Sequence, residues 1–406
     1  MKKNIFFIAL TQRKDTIRCP SCIDHRSIFT YKIDKPNSPW YNYCITQNPK
    51  KERQRKMSDI ASIDKNFQVG STINREGVRF YDSKSAPFAI HGLMITDGVF
   101  HRIPESVAKN TSEGVMRLNY NTAGGRVRFK TNSPYVAISV KYSSLGRMPH
   151  FAFCGSIGFD LYEGTRYVNT FTPPVEPNTE FESIIKLGKP RMRDITINFP
   201  LYSSVEELYI GLDENAAVEA PEKYSNEKPI VYYGSSITQG GCASRPGTCY
   251  QAHVSRRFNA DYVNLGFAGN ARAEEAIADY IKGLDMGLFV YDYDHNAPTT
   301  DYLRQTHEKM FLAIREANPT LPIIMMSRPL HKLNRTDSDN RRIEIIRATY
   351  ENAKARGDQN VYFLTGDDLT ALCGNEGTVD DCHPTDLGFA AMADALIKLI
   401  EKENLL

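Results

Sequence analysis

The sequence contains no hydrophobic run approaching the roughly 20 residues that a membrane-spanning helix needs, so no such helix is predicted. It also carries little excess charge, because 50 Lys and Arg face 48 Asp and Glu and leave a net charge of +2. This balance predicts neither nucleic acid nor a membrane surface as a partner. With 406 residues and 41% hydrophobic content, the chain is long enough for two to three domains with cores of their own.

The sequence lacks a second Cys-x-x-Cys pair that could complete a zinc site with Cys19 and Cys22. His25 lies close to this pair, but an incidental pair in a loosely structured segment is the favoured interpretation. Four further cysteines lie near the motifs described below: Cys242, Cys249, Cys373 and Cys382. The sequence leaves open whether these four form disulfides or remain buried thiols.

The N-terminus begins like a signal peptide but lacks the rest of one. Its apolar segment covers only Ile5 to Leu10, charged residues follow at once, and no small-residue cleavage site is present. This favours the cytoplasm, with export as the alternative. Residues 1–56 contain several prolines and end in the charge run Lys50–Lys56, which is typical of a poorly structured extension. Because Met57 follows directly, one hypothesis is that the natural chain starts there.

Residues 57–222 show apolar side chains that alternate with polar ones. The alternating apolar sets are Met116, Leu118 and Tyr120; Val127 and Phe129; Val136, Ile138, Val140 and Tyr142; and Ile195, Ile197 and Phe199. Period-two alternation predicts strands with one buried face. Many short strands without a convincing helix predict an all-β domain, a sandwich or a jelly roll. Residues 214–228 are polar, include Pro221, and form the predicted linker.

Residues 228–406 change to strands that alternate with helices. The strand candidates are 230–233, 261–265, 286–292, 322–327 and 360–364. The helix candidates are 248–258, 272–282, 300–317, 338–356 and 386–402. Five such repeats predict an α/β domain with a parallel sheet and helices on both faces. The carboxyl ends of its strands meet at one edge, where binding sites form.

Four short segments of this second domain carry residues suited to catalysis. The first is Gly234-Ser-Ser236, a turn after an apolar strand that can present a hydroxyl group. The second and third are 264–270 (NLGFAGN) and 291–296 (YDYDHN). The fourth places Asp380 three residues before His383. A carboxylate at this spacing reaches the imidazole of its own loop, which leaves the other ring nitrogen free to take a proton from a serine.

In this order, the four segments resemble the four blocks of the SGNH (GDSL-like) hydrolase superfamily. Its members are esterases and acylhydrolases built on a flavodoxin-like sheet. The resemblance implies that Ser236 is the nucleophile and that His383 and Asp380 complete a catalytic triad. It also implies an oxyanion hole formed by the backbone N–H groups of Ser236 and Gly269 and the side chain of Asn296. It implies no metal and no cofactor.

A second resemblance concerns Gly158-Phe-Asp-Leu-Tyr162 in the β-domain. This pentapeptide resembles the signature of the GxDLY N-terminal domain found before one subgroup of these hydrolases. The segments Ser327-Arg-Pro329 and Gly388-Phe389 also fit that subgroup. From the residues alone, a strand rich in aromatics is expected to be core. The alternative places Asp160 or Tyr162 at the cleft between the domains.

The sequence departs from the superfamily in two blocks. Ser235 stands where the first block usually has an aspartate, and we expect it to support the turn. The third block reads Asp294-His-Asn-Ala297 instead of Gly-x-Asn-Asp.

Three further residues near these blocks are candidate substrate contacts: Asp294, His295 and Arg328. Arg328 could instead pair with a surface carboxylate. Asp292, Asp294 and His295 could also bind a divalent ion. Alternation along a strand would send His295 to the side opposite the two carboxylates, which favours a rim that shapes the substrate pocket and predicts no metal.

The resulting prediction is a serine esterase that removes small acyl groups, foremost acetyl, from a small-molecule or carbohydrate ester. A lipase or lysophospholipase is the first alternative, disfavoured because no long apolar lid or amphipathic surface helix is evident. A catalytically inactive carbohydrate-binding protein is the second, disfavoured by the complete Ser236, His383 and Asp380 set. Each of these residues alone is weak evidence, because a turn such as Gly-Ser-Ser is more often only a turn, and only their combination points to catalysis. The oligomeric state is left open.

Overall fold

A computed structural model of the protein describes residues 73–406, apart from the side chain of Glu227. The predictions for residues 1–56, which include the Cys19 and Cys22 pair, lie outside the described residues. The described chain consists of a mainly antiparallel β part, residues 73–219, and an α/β part, residues 226–406. Both belong to one compact unit.

The β part contains two antiparallel sheets. Its strands are β1 (Val78–Asp82), β2 (Ala89–His91), β3 (Met94–Thr96), β4 (Val99–His101), β5 (Arg126–Thr131), β6 (Tyr135–Ser144), β7 (Phe159–Glu163), β8 (Arg166–Phe171), β9 (Glu180–Lys186), β10 (Arg193–Asn198), β11 (Ser204–Asp213) and β12 (Val218–Glu219). One sheet has the order β1-β11-β6-β9, and the other has the order β12-β5-β10-β7-β8 with β2 also paired to β5. The strands β3 and β4 form a separate hairpin.

Neighbouring strands β5 and β10 show why these sequences form sheets. Val127 and Phe129 lie opposite Ile197 and Ile195 in the antiparallel register, and all four are fully buried. The polar residues between them point to the other side of the sheet, as the alternation predicts. Burial of each such side chain contributes about 1.5–3 kcal/mol. The predicted all-β domain is therefore confirmed as a pair of antiparallel sheets around an apolar core.

The prediction that this part contains no helix is wrong. It has helices α1 (Glu105–Thr111), α2 (Glu113–Leu118) and α3 (Phe153–Ser156). Met116 and Leu118, whose alternation suggested a strand, lie in α2, which is capped by a hydrogen bond from Val115 N to Ser112 Oγ at 3.1 Å. Val115 is buried in the core of the α/β part. A short alternating run fits either period, and packing against the neighbouring part selected the helix.

The α/β part has a five-stranded parallel sheet in the order β14-β13-β15-β16-β17. The strands are β13 (Asn226–Gly234), β14 (Ala260–Gly266), β15 (Leu288–Asp292), β16 (Ile323–Met326) and β17 (Val361–Leu364). The first strand along the chain is central, which is the flavodoxin-like 2-1-3-4-5 order. The predicted sheet is confirmed, although β13 starts at Asn226 rather than at residue 230, and the expected linker includes β12.

Helices cover both faces of this sheet. They are α4 (Ser236–Gln239), α5 (Tyr250–Phe258), α6 (Glu275–Lys282), α7 (Thr300–Ala317), α8 (Asp337–Ala355), α9 (Gly366–Leu369) and α10 (Asp386–Glu403). Ile230 and Tyr232 share a core with α5 and α10, whereas Val231 and Tyr233 share the opposite core with α6, α7 and α8. Both faces of the sheet are therefore apolar, as in a buried parallel sheet.

The structure also answers the question left open about the cysteines. The five cysteines of the described chain are all free thiols: Cys154, Cys242, Cys249, Cys373 and Cys382. A search of residues 73–406 finds no helix with the length and hydropathy required to cross a membrane.

Candidate active site

Ser236 is the first residue of α4 and lies two residues after Gly234, the end of β13. Ser235 precedes it as the N-cap, and its Oγ accepts a hydrogen bond from Ile237 N at 3.2 Å. The expectation that Ser235 supports the turn is confirmed. Gly234 allows the Asp292 carboxylate to lie against the backbone here, because a Cβ atom at this position would lie 1.6 Å from Asp292 Oδ1. The turn leaves the Ser236 side chain half-buried at the carboxyl edge of the sheet.

Ser236, His383 and Asp380 form one chain of hydrogen bonds. Ser236 Oγ lies 2.9 Å from His383 Nε2, and His383 Nδ1 lies 2.8 Å from Asp380 Oδ2. The backbone N–H groups of His383 and Cys382 donate to Asp380 Oδ1 at 2.7 and 3.2 Å. Val379 N donates to His383 O at 3.0 Å and closes the loop. A five-residue turn therefore holds the carboxylate and the imidazole in contact.

The hydrogen bonds to Asp380 favour its ionised form. Partial burial raises the pKa of this carboxyl, but the bonds from the His383 amide, the His383 ring and the Cys382 amide outweigh burial and hold the pKa below its usual range. An ionised Asp380 can only accept a hydrogen bond, so the ring proton of His383 stays on Nδ1 and the imidazole presents an unprotonated Nε2 to the serine. This arrangement can draw a proton from the Ser236 hydroxyl.

The predicted oxyanion-hole residues follow three adjacent strands at the same edge. Gly269 has a φ of 70°, a left-handed conformation that favours glycine. Within the described chain, the backbone N–H groups of Ser236 and Gly269 donate to no acceptor. Asn296 Nδ2 donates to Phe267 O at 3.1 Å, and an amide nitrogen carries a second N–H. All three residues therefore retain a donor for a developing negative charge.

Gln239 supports this edge, and the sequence reasoning assigned it no function. Its side chain is fully buried, and its Oε1 accepts a hydrogen bond from Ala268 N at 3.0 Å. Its Nε2 donates to Leu201 O and Asn121 Oδ1, both at 3.1 Å. Gln239 thus ties α4 to the residue next to Gly269. A long amide side chain among the small residues of this turn was the available signal, since a buried amide must find partners.

Three residues of the β part reach the same region, and none was predicted. Tyr202 Oη donates to Ser236 O at 3.1 Å. Arg102 donates to Gly266 O, and its guanidinium lies 4.4 Å from the centre of the Phe267 ring. His150 Nε2 lies 3.9 Å from Asp380 Oδ2. These contacts join residues far apart in the chain, so no local pattern indicates them.

The GxDLY segment contacts the α/β part through its polar residues. It forms β7, as predicted, but the carboxylate of Asp160 is buried between the two parts. Asp160 accepts hydrogen bonds from Asn198 Nδ2 at 2.7 Å, Arg245 Nη1 at 2.8 Å and Gly247 N at 2.8 Å. Arg245 Nη1 also donates to Tyr162 Oη. The alternative that placed Asp160 and Tyr162 between the domains describes this position better than an apolar core.

The segment held by Asp160 continues toward His383. Ser244 N and Thr248 Oγ1 donate to Asp386 Oδ1 at 2.8 and 2.7 Å. Asp386 is the first residue of α10 and lies three residues after His383. Consecutive hydrogen bonds therefore connect the GxDLY signature to the chain that carries the imidazole.

Asp294, His295 and Arg328 are arranged around the loop that carries His383. Asp294 is buried, and its carboxylate accepts from Arg328 N at 3.2 Å and His295 N at 2.8 Å. Arg328 Nη2 donates to Asp381 O at 2.8 Å, and His295 Nε2 lies 3.3 Å from Cys382 Sγ. Burial raises the pKa of Asp294 to about 6 and lowers that of His295 to about 4. Arg328 and His295 therefore hold the loop that carries His383. Contact of these residues with substrate stays a prediction.

One group of donor atoms among the described residues is suited to a metal ion. It consists of His150, Cys242 and His383, whose ligand atoms all lie within 4.8 Å of one another. Asp292 and Asp294, considered from the sequence with His295, form no such group in residues 73–406.

The sequence matches two protein families, one for each part of the chain. Residues 227–401 match the GDSL-like lipase/acylhydrolase family. The α/β part therefore carries a GDSL-like lipase/acylhydrolase domain. Residues 78–218 match the GxDLY family, described as the N-terminus of SGNH hydrolase-type esterases. The protein is therefore an enzyme, an esterase of the SGNH type.

Solved structures share this two-part architecture. A protein from Bacteroides ovatus ATCC 8483, named as a GDSL-like lipase, is 26% identical with a TM-score of 0.71, and the match covers 80% of this chain and 97% of that one. The salicylyl-acyltransferase SsfX3 of a tetracycline biosynthetic pathway is 21% identical with a TM-score of 0.67, covering 81% and 98%. The acetyl xylan esterase Est2A from the rumen bacterium Butyrivibrio proteoclasticus is 13% identical with a TM-score of 0.52, covering 80% and 98%. No curated protein matches the chain.

Proposed function

We propose that the protein is a serine esterase that hydrolyses small acyl esters, foremost acetyl esters of carbohydrates, through a Ser236, His383 and Asp380 triad. The observation that carries this proposal is the continuous chain of contacts from Ser236 Oγ to His383 Nε2 at 2.9 Å and from His383 Nδ1 to Asp380 Oδ2 at 2.8 Å. A hydroxyl, a base and an orienting carboxylate in this order are the requirements for an activated serine.

The chemistry follows from the roles of these groups. His383 Nε2 takes the proton of Ser236 as Oγ attacks the ester carbonyl carbon, and Asp380 stabilises the imidazolium that forms. The N–H groups of Ser236 and Gly269 and the Asn296 amide stabilise the oxyanion. His383 then returns the proton to the departing alcohol. Water, activated by the same imidazole, hydrolyses the acyl-enzyme and restores the serine.

The proposed substrate class is supported by the names of similar solved structures and not by a contact within this protein. Est2A, an acetyl xylan esterase by name, has the same two-part fold, which is compatible with an acetylated glycan as substrate. The Bacteroides ovatus protein is named as a lipase, so longer acyl chains are the alternative to be tested. SsfX3 is named as an acyltransferase. A second alternative is therefore that the acyl group passes from the enzyme to an alcohol instead of to water.

Labelling of the nucleophile tests the catalytic half. The full chain should hydrolyse p-nitrophenyl acetate and should be inactivated by a serine-directed organophosphonate that attaches to Ser236. Ser236→Ala should remove both hydrolysis and labelling. Ser235→Ala is the matched control, because it removes the neighbouring hydroxyl and a helix cap worth about 1 kcal/mol but leaves the nucleophile. Labelling of folded Ser236→Ala would refute the assignment, and absence of labelling in the wild type would favour an inactive binding protein.

Product analysis tests the substrate half. Release of acetate from acetylated xylan or another acetylated glycan, with p-nitrophenyl acetate preferred over the octanoyl ester, is the expected result. Preference for the octanoyl ester would favour a lipase instead. The ratio of acetate to p-nitrophenol should stay at one when a simple alcohol is added, because water is the proposed acceptor. A fall in this ratio would indicate acyl transfer.

A further inference from the structure

Three metal-binding side chains from separate segments meet beside Ser236. His150 belongs to the β part, Cys242 follows α4, and His383 lies before α10. Their ligand atoms all lie within 4.8 Å of one another. The backbone before Cys242 passes close to the imidazole, since a Cβ on Gly241 would lie 3.2 Å from His383 Cδ2. The His150 and His383 rings are 5.9 Å apart between centres.

We propose that His150, Cys242 and His383 bind a Zn²⁺ ion that inhibits the enzyme by occupying the imidazole needed for catalysis. One thiolate and two imidazoles are typical zinc ligands, and three protein ligands leave a fourth position for water. Magnesium and calcium prefer oxygen ligands and do not suit this set.

The separations require a modest adjustment. Zinc–nitrogen and zinc–sulfur bonds of about 2.0–2.3 Å place the donors of a tetrahedral site about 3.3–3.8 Å apart. The donor atoms, which lie within 4.8 Å of one another, therefore have to approach by at most about 1–1.5 Å. His150 can provide this movement, because its side chain is exposed, whereas Cys242 and His383 are partly buried. We therefore expect a rotation of the His150 side chain to complete the site.

The hydrogen bonds of His383 decide which of its nitrogens is available. Nδ1 is engaged with Asp380 Oδ2 at 2.8 Å, so the metal is bound by Nε2. A carboxylate behind a zinc-binding imidazole orients the ring and strengthens the ligand. Nε2 is also the atom 2.9 Å from Ser236 Oγ, so zinc and the serine proton compete for one lone pair. On binding, the Cys242 thiol loses its proton to solvent and waters leave the ion.

Zinc affinity and activity are to be measured separately on the full chain. After treatment with EDTA and its removal, the dissociation constant for Zn²⁺ is obtained by competition with a chromophoric chelator. Hydrolysis of p-nitrophenyl acetate is followed at the same free zinc concentrations. We expect inhibition with a midpoint equal to the dissociation constant, reversal by EDTA, and no effect of Mg²⁺.

Variants identify the ligands. Cys242→Ser and His150→Gln should each raise the dissociation constant at least about tenfold, because even loss of an outer partner of a zinc ligand costs about 10- to 100-fold. For each variant, the rate of hydrolysis with zinc is compared with the rate of the same variant without zinc. Cys382→Ser is the matched control, since this thiol adjoins His383 but lies outside the donor group, and its zinc affinity should equal that of the wild type. His150→Gln changes an exposed residue and keeps the test valid if Cys242→Ser fails to fold.

The outcomes separate this inference from the proposed function, on which its inhibitory half rests. Unchanged zinc affinity in folded Cys242→Ser and in His150→Gln, or an equal loss in Cys382→Ser, would overturn the site. Tight binding without inhibition would overturn the competition for His383 Nε2. Zinc binding that depends on Cys242 and His150 in a protein without esterase activity would support the site and count against the proposed function instead.

Discussion

Asp160 of the β part and Arg245 of the α/β part form an ion pair with 2.8 Å between Oδ2 and Nη1. The Asp160 side chain is completely buried, and that of Arg245 is 21% exposed. Asp160 also accepts a hydrogen bond from Gly247 N, and a Cβ at residue 247 would lie 2.7 Å from Oδ2. The acidic residue of the GxDLY signature therefore stabilises the contact between the β part and the α/β part.

Asp160→Ala should destabilise the protein substantially. The change leaves a largely buried guanidinium without its carboxylate, which we expect to cost about 2–4 kcal/mol of the free energy of unfolding, measured with urea. The double variant Asp160→Ala/Arg245→Met should recover part of this loss, because no unpaired charge remains. If Asp160→Ala lowered the free energy of unfolding by less than about 1 kcal/mol, the ion pair would not stabilise the contact between the two parts.

Gln239→Met should slow the reaction more than it weakens substrate binding. The change removes the acceptor of Ala268 N and displaces the loop that carries Gly269. Misplacement by about 1 Å can cost up to about 100-fold in turnover, so kcat should fall while KM stays close to that of the wild type. Gln251→Met is the matched control, because this buried glutamine donates to Thr238 O instead. Equal effects of the two variants on kcat would point to general destabilisation.

Asn296→Ala should give a folded, slow enzyme. Loss of one oxyanion donor costs about 100- to 1000-fold in kcat, whereas the hydrogen bond lost to Phe267 O contributes only about 1 kcal/mol to stability. Asn296→Asp should be equally slow, because its carboxylate keeps the size of the side chain but has no N–H group. Steady-state kinetics with p-nitrophenyl acetate and a melting curve check both statements. A rate within about threefold of the wild type would remove Asn296 from the oxyanion hole.

Asp292 should make stability depend on pH. Burial raises the pKa of this carboxyl to about 8, although the hydrogen bonds from Thr238 and Ser235 N lower it in part. The folded protein thus holds a proton that the unfolded chain releases above about pH 4, so stability falls as pH rises from about 4 to about 8. Asp292→Asn should lack this component, on the order of 1 kcal/mol per pH unit.

Urea unfolding between pH 5 and 8.5 measures the difference between the wild type and Asp292→Asn. Asp279→Asn, which changes an exposed carboxylate on α6, is the control and should follow the wild type. Parallel curves for the wild type and Asp292→Asn would show that Asp292 is ionised throughout this range.

The α/β part could be predicted in detail because its signals are local. Five apolar strands alternate with amphipathic helices, and each strand packs the same kinds of side chain on both faces, so the parallel sheet follows from the pattern. The Asp380 to His383 contact is equally local, since a five-residue turn closed by Val379 N holds both groups. Ser236 follows from its turn and from the resemblance of its block to a family.

The sequence by itself therefore determined the family, the sheet and the loops that carry Ser236, Asp380 and His383. Only the tertiary structure decided that 113–118 is a helix, that Gln239 supports the Gly269 loop, that Asp160 pairs with Arg245, and that His150 lies beside Asp380. The physical reason is the same in each case. These features depend on partners 29 to more than 200 residues away, and no local periodicity or short motif encodes such a contact.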